Sequence, residues 1–88
     1  MISSGVNTVG TAATMIDATA PMPFRLMIHN NDNSDAVYLG GEGVTTTTGM
    51  VLAKLERIEF VMYPGEVLYA VSGKAGHAIS WLKQQQQS

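Results

Sequence analysis

Alternation of apolar and polar positions carries most of the structural signal in this chain. In FRLMIHN (24–30), Phe24, Leu26 and Ile28 fall on one side while Arg25, Met27 and His29 fall on the other. That period of two predicts a half-buried β-strand. AVYLG (36–40) repeats the pattern, with Val37 and Leu39 opposite Tyr38. The run NNDNSD between them has Asn and Asp side chains that can bond back to the backbone, so the two strands are expected to form a hairpin. VLYAVS (67–72) and HAISWLK (77–83) also read as strands, and both carry apolar bulk on both sides. A short strand is expected over 13–17. Residues 50–62 obey two periods at once. Val51, Leu55, Ile58 and Met62 fit a helical stripe, whereas Ile58, Phe60 and Met62 alternate with Arg57, Glu59 and Val61. The β-branched and aromatic second half favours a strand over 56–62 and leaves a short helix over 50–56 open.

The breaks between these segments are equally regular. Pro21 and Pro23 impose extended geometry before Phe24. GGEGVTTTTG (40–49) combines glycines with a threonine block and reads as a long connection. Tyr63-Pro64-Gly65-Glu66 predicts a type II turn, with Gly65 in the left-handed position. The expected fold is all-β: a small sandwich or barrel of five to seven short, mostly antiparallel strands. Residues 1–12 are expected as an extended N-terminal arm, 13–83 as one β-domain and 84–88 as a polar tail.

Composition adds a reason to expect assembly. The chain has 88 residues, of which 45% are hydrophobic and 14% charged, against about 25% charged in ordinary soluble domains. It has no cysteine, so no disulfide or thiolate metal site reinforces a core this small. Self-association is therefore expected, with Tyr69, Val71, Ile79 and Trp81 as subunit contacts and Ile2, Val6 and Val9 of the arm lying on a partner. The five basic residues, Arg25, Lys54, Arg57, Lys74 and Lys83, are scattered and the net charge is -2. That pattern argues against nucleic-acid binding. No apolar run is long enough for a spanning helix, and the first twenty-odd residues lack the basic and apolar blocks of a secretory signal. No membrane partner is expected.

Catalytic candidates are few. His29 is expected on the polar side of its strand and His77 at a strand start, both solvent-facing or at the rim. Neither belongs to an HExxH or HxH pair. No GxSxG elbow supports a nucleophilic serine, and the glycine-rich stretch lacks the lysine of a phosphate-binding loop. Asp32, Asn33 and Asp35 could hold Ca²⁺ weakly, although an ordinary polar turn explains them. Neither an enzyme nor a cofactor is expected, and no metal.

FRLMIHNNDNSDAVYLGGEGVTTTTG and the later PGEVLYAVSGKAGHAISWL resemble small β-rich virion proteins of tailed bacteriophages. In that group a strand ending "I-x-N" precedes a polar turn, then "V-Y-L-G", "G-V-T-T" and a late "P-G-E-x-L-Y-A-V-S-G". Ile28 and Asn30 match the first element, Val37 to Gly40 the second, Gly43 to Thr46 the third and Pro64 to Gly73 the last. The resemblance covers residues 24–82. One departure is LAKLERIEF, which lacks the Pro/Gly-containing turn usual after "G-V-T-T". The resemblance implies a structural role in the virion, foremost as a head decoration protein on the outer surface of the head. Its partners would be the major capsid protein and further copies of itself, for which a closed ring such as a trimer is suitable. The alternative is a head-fibre base or tail module presenting Tyr38, Tyr63 and Trp81 to a host or glycan; a small enzyme is remote.

Overall fold

The computed structural model describes residues 2–16 and 22–85. Eight strands follow in order: β1 (Ile2–Val9), β2 (Thr14–Met15), β3 (Phe24–Asn30), β4 (Val37–Gly40), β5 (Met50–Leu52), β6 (Arg57–Met62), β7 (Tyr69–Ser72) and β8 (His77–Gln85). They form two four-stranded antiparallel sheets packed as a sandwich, so the all-β expectation is met. Sheet I has the order β1-β8-β3-β6 and sheet II the order β2-β7-β4-β5.

The pairs β4·β5, β3·β6, β2·β7 and β1·β8 nest inside one another. The chain is thus one long antiparallel ribbon, closed at the β4–β5 hairpin. It is rolled so that β3 also meets β8 and β4 also meets β7. This is the arrangement of a jelly roll.

Alternation fixes the core. Phe24, Leu26 and Ile28 of β3 point inward with Val9, Ile79 and Met62, and meet Val37, Leu39, Leu52 and Ala70 of sheet II. Ile16, fully buried, extends the β2–β7 ladder through a hydrogen bond from its N–H to the Leu68 carbonyl. The turn at 63–66 is as expected: Glu66 N–H bonds the Tyr63 carbonyl and Gly65 has φ 88°.

Three expectations are corrected. β3 and β4 do not form a hairpin; they lie in different sheets, and NNDNSD carries the chain from one sheet to the other. Residues 50–56 are strand β5 followed by a turn, not a helix. Leu55 takes the left-handed conformation there (φ 57°), standing where a glycine would be expected. β8 runs on to Gln85, two residues into the expected tail. The N-terminal segment is extended, as expected, and lies on its own chain: β1 pairs with β8 from Ile2↔Gln84 to Val9↔His77. Of the strand expected over 13–17, Asp17 falls outside the described residues.

Candidate functional site

The outer faces of the two sheets differ. On sheet II, Tyr38 and Gly40 point outward, and the 41–49 connection folds back over them. Val44 Cγ2 would lie 2.7 Å from a Cβ added at Gly40 and 2.8 Å from one added at Gly49. Bare backbone at those two positions makes room for Val44, which is buried. The threonine block closes on itself beside it: Thr45 N–H bonds Thr48 Oγ1, and Thr48 N–H bonds Thr45 Oγ1. The loop covers the middle of sheet II, where the outward Val71 is buried, and leaves Met15 and Val51 on the same face 45% and 57% exposed.

Among the described residues nothing of this kind covers sheet I. Its register sets out three outward rows across the four strands. One runs Ile2, Gln84, Arg25, Val61; the next Ser4, Leu82, Met27, Glu59; the third Val6, Ser80, His29, Arg57. Ile2 and Val6 are 64% and 65% exposed, with Val61 at 52% and Leu82 at 40%. Charge is confined to the β3–β6 side, where Arg25 and Glu59 pair at 3.4 Å. Between β1, β8 and β3 lies a depression of about 350 Å³, lined by Ser4, Val6, Met27, His29, Ser80 and Leu82 together with Gly5 and Trp81. The face is apolar toward β1 and charged toward β6. Such a contiguous apolar patch marks an interaction surface more often than a scattered set does.

The residues expected to make contacts are divided by this arrangement. Ile2 and Val6 lie on the open face, whereas Val9 is fully buried in the core. Tyr69 and Val71 belong to sheet II, and Val71 is buried. Ile79 and Trp81 point inward from sheet I, and Ile79 is fully buried. These four do not form one surface. Trp81 is half-buried, with its indole against Gly5 and its Nε1–H donating to Asn7 Oδ1 at 2.9 Å. Tyr38, Tyr63 and Trp81 likewise lie on sheet II, in a turn and inside sheet I, so no common aromatic platform forms. Alternation already sets Met27 and Val61 opposite the core side of their strands, and Leu82 opposite Trp81; none of the three is among the expected contacts, although an apolar residue in that position is the available signal.

His77 departs most from expectation: it is fully buried, as are Asn30 and, nearly so, Ser72. Asn30 Nδ2 donates to the carbonyls of Asp35, Leu52 and Ala53. Its amide orientation follows, so Oδ1 accepts from Asp32 N–H and from His77 Nε2–H at 2.7 Å. His77 Nδ1 is then the acceptor for the Ser72 hydroxyl at 2.9 Å. The Ser72–His77–Asn30 chain has the atom types of a catalytic triad, but Ser72 is only 1% exposed. It works as a clasp joining the 30–35 crossing, the 53–56 turn and the 72–77 connection.

Beside the clasp, Asp32 Oδ1 accepts from Ser34 N–H, Ser34 Oγ–H and Asp35 N–H. Lys74 Nζ lies 2.6 Å from Asp32 Oδ2 and 3.2 Å from Asp35 Oδ2. The lysine stands where a cation held by that loop would stand. Among the described residues no group of three or more His, Cys, Asp or Glu could hold a metal ion. Comparison with protein-family models, curated proteins and solved structures finds no match.

Proposed function

We propose that this chain is a virion structural protein of a tailed bacteriophage, a decoration protein that holds the major capsid protein on the outer surface of the head. It would act without a cofactor and as a homo-oligomer. The observation that carries the reading is the outer face of sheet I: a loop covers the middle of sheet II, while sheet I presents Ile2, Val6, Leu82 and Met27 on its β1 side, away from the charged β6 side. The sequence elements that resemble those of phage virion proteins agree with it. Architecture alone does not choose, because jelly rolls serve as capsid domains, lectins and cupins.

Magnitudes say what such a face can do. Burying four side chains that are about half exposed yields roughly 3–6 kcal/mol, close to the lower end of the roughly 4–15 kcal/mol that association costs. A single copy would hold a lattice weakly, and linked copies would hold it by avidity. The test is addition of the purified protein to undecorated heads, followed by sedimentation and image reconstruction. Density over the capsid lattice, lost with Leu82→Asp while the variant stays folded, is the expected result. Density confined to the tail or a fibre base, or head binding unchanged by Leu82→Asp, would overturn the reading.

A further inference from the structure

An unpaired strand edge templates another strand unless it is short, charged or distorted. Among the described residues the sandwich has four edges: β1 and β6 in sheet I, β2 and β5 in sheet II. β2 has two residues and β5 three, too few to template a long ladder. β6 carries Arg57 and Glu59. β1 has none of these protections. It is eight residues long, ISSGVNTV, without a charge or a proline, and its register on β8 runs without a bulge.

The inner side of β1 is also held in place. The indole of Trp81 fills the space over Gly5 and donates to Asn7, and Val9 is buried in the core. The open edge is therefore pre-shaped, and ordering it for a partner costs little.

We propose that β1 is an assembly edge that pairs antiparallel with β1 of a second copy about a twofold axis, joining the two sheets I into one eight-stranded sheet. A copy of the same chain is the fitting occupant because the strand is neutral, so an isologous pairing meets no like charge, and a twofold makes one edge complementary to itself. Pairing inward residues with inward residues keeps Ile2, Ser4, Val6 and Thr8 of both copies on one outer face. With Gly5 on the axis position 4 of one copy faces position 6 of the other, and with Ser4 or Val6 on the axis that residue faces its own counterpart, so each register opposes at least one pair drawn from positions 4 and 6. The apolar side of each open face, next to β1, then becomes the centre of a doubled surface. The inference stands independently of any capsid partner.

Sedimentation across the micromolar range, with hydrogen exchange at each concentration, tests it on the unaltered chain. The expected result is a monomer–dimer equilibrium, with additional β1 amides becoming protected as the dimer fills. The variants Ser4→Lys/Val6→Lys and Ser4→Glu/Val6→Glu alter only exposed positions. Each alone should sediment as a folded monomer, and an equal mixture should recover the dimer. A wild-type monomer throughout, a trimer, or β1 protection that does not change with concentration overturns the proposal. So does a dimer that persists in both charged variants, or a mixture that stays monomeric.

Discussion

Replacing Asn30 with alanine tests the clasp most directly. The two hydrogens of its amide serve three carbonyls, and its oxygen serves two donors. Several of those partners lie near the surface and regain water on truncation. The His77 Nε2–H and the Leu52 carbonyl are in buried bonds and do not. A buried polar group left unpaired costs about 1–3 kcal/mol, so the two together predict a loss of roughly 2–6 kcal/mol. A domain of this length has a total stability of roughly 4–13 kcal/mol, so the substitution removes a large share of it. Urea unfolding followed by the emission of Trp81, the single tryptophan, measures the change directly. A loss below about 1 kcal/mol, the net worth of one ordinary hydrogen bond, would refute the reasoning. Asn30→Asp adds a second check on orientation. It keeps an acceptor for His77 and Asp32 but turns an acceptor toward three carbonyls, and should cost at least as much as alanine at neutral pH. A better-tolerated aspartate would mean that the amide points the other way.

Three further outcomes follow from local geometry. The Lys74 ammonium foremost, then the N–H groups of Asp35 and Ser34 and the Ser34 hydroxyl, hold the Asp32 carboxyl well below the usual carboxylate range. Asp32, then Asp35, holds Lys74 above its ordinary value. The Asp32 contribution is present above the carboxylate's unfolded value and is lost as pH falls through its lower folded value; the Lys74 contribution is lost as pH rises through its raised one. Asp32→Asn should flatten the acid limb of the stability profile, and an unchanged limb would contradict the assignment. Gly5→Ala places a Cβ 2.6 Å from Trp81 Cζ2 and should cost about 1–3 kcal/mol with a red shift of Trp81 emission; unchanged stability and emission would exclude the contact. Leu55→Gly relieves a left-handed backbone worth about 1–2 kcal/mol against glycine's entropic cost of about 0.5–1 kcal/mol. The expected result is a small gain in thermal stability, and a clear loss would show that the Leu55 side chain matters.

The strands were legible where side chains alternate, as in FRLMIHN, and the turn at 63–66 where Pro64 and Gly65 set the dihedrals. Pairing was not legible, because it depends on residues far apart. The 30–35 crossing looks locally like a hairpin loop; only Asn30, bonded to carbonyls on the far side of β5, shows that the chain changes sheets there. His77 reads as a rim residue next to Gly76, and its burial depends on Asn30, 47 positions away. In ISSGVNTV the apolar residues at 2, 6 and 9 keep no period of two, so β1 resembles a loose arm until β8 supplies its register. The open face of sheet I was half legible. Met27 and Leu82 stood on polar sides in the alternation, but only the register places them beside each other.

The nested ribbon also gives folding a direction. Of the strands that pair, β4 and β5 lie nearest in sequence, and each later nested pair, from β3·β6 through β2·β7 to β1·β8, closes a longer loop. Long-range pairings of this kind slow folding because chain entropy is lost before their contacts form. During synthesis β1 leaves the ribosome before the other described strands, yet among them its one partner is β8, the last. The strand that forms the proposed assembly edge is therefore expected to dock last. Pulse-labelled hydrogen exchange during refolding should find its amides protected after those of β3 and β4, so that the edge is complete only once the rest of the sandwich has closed.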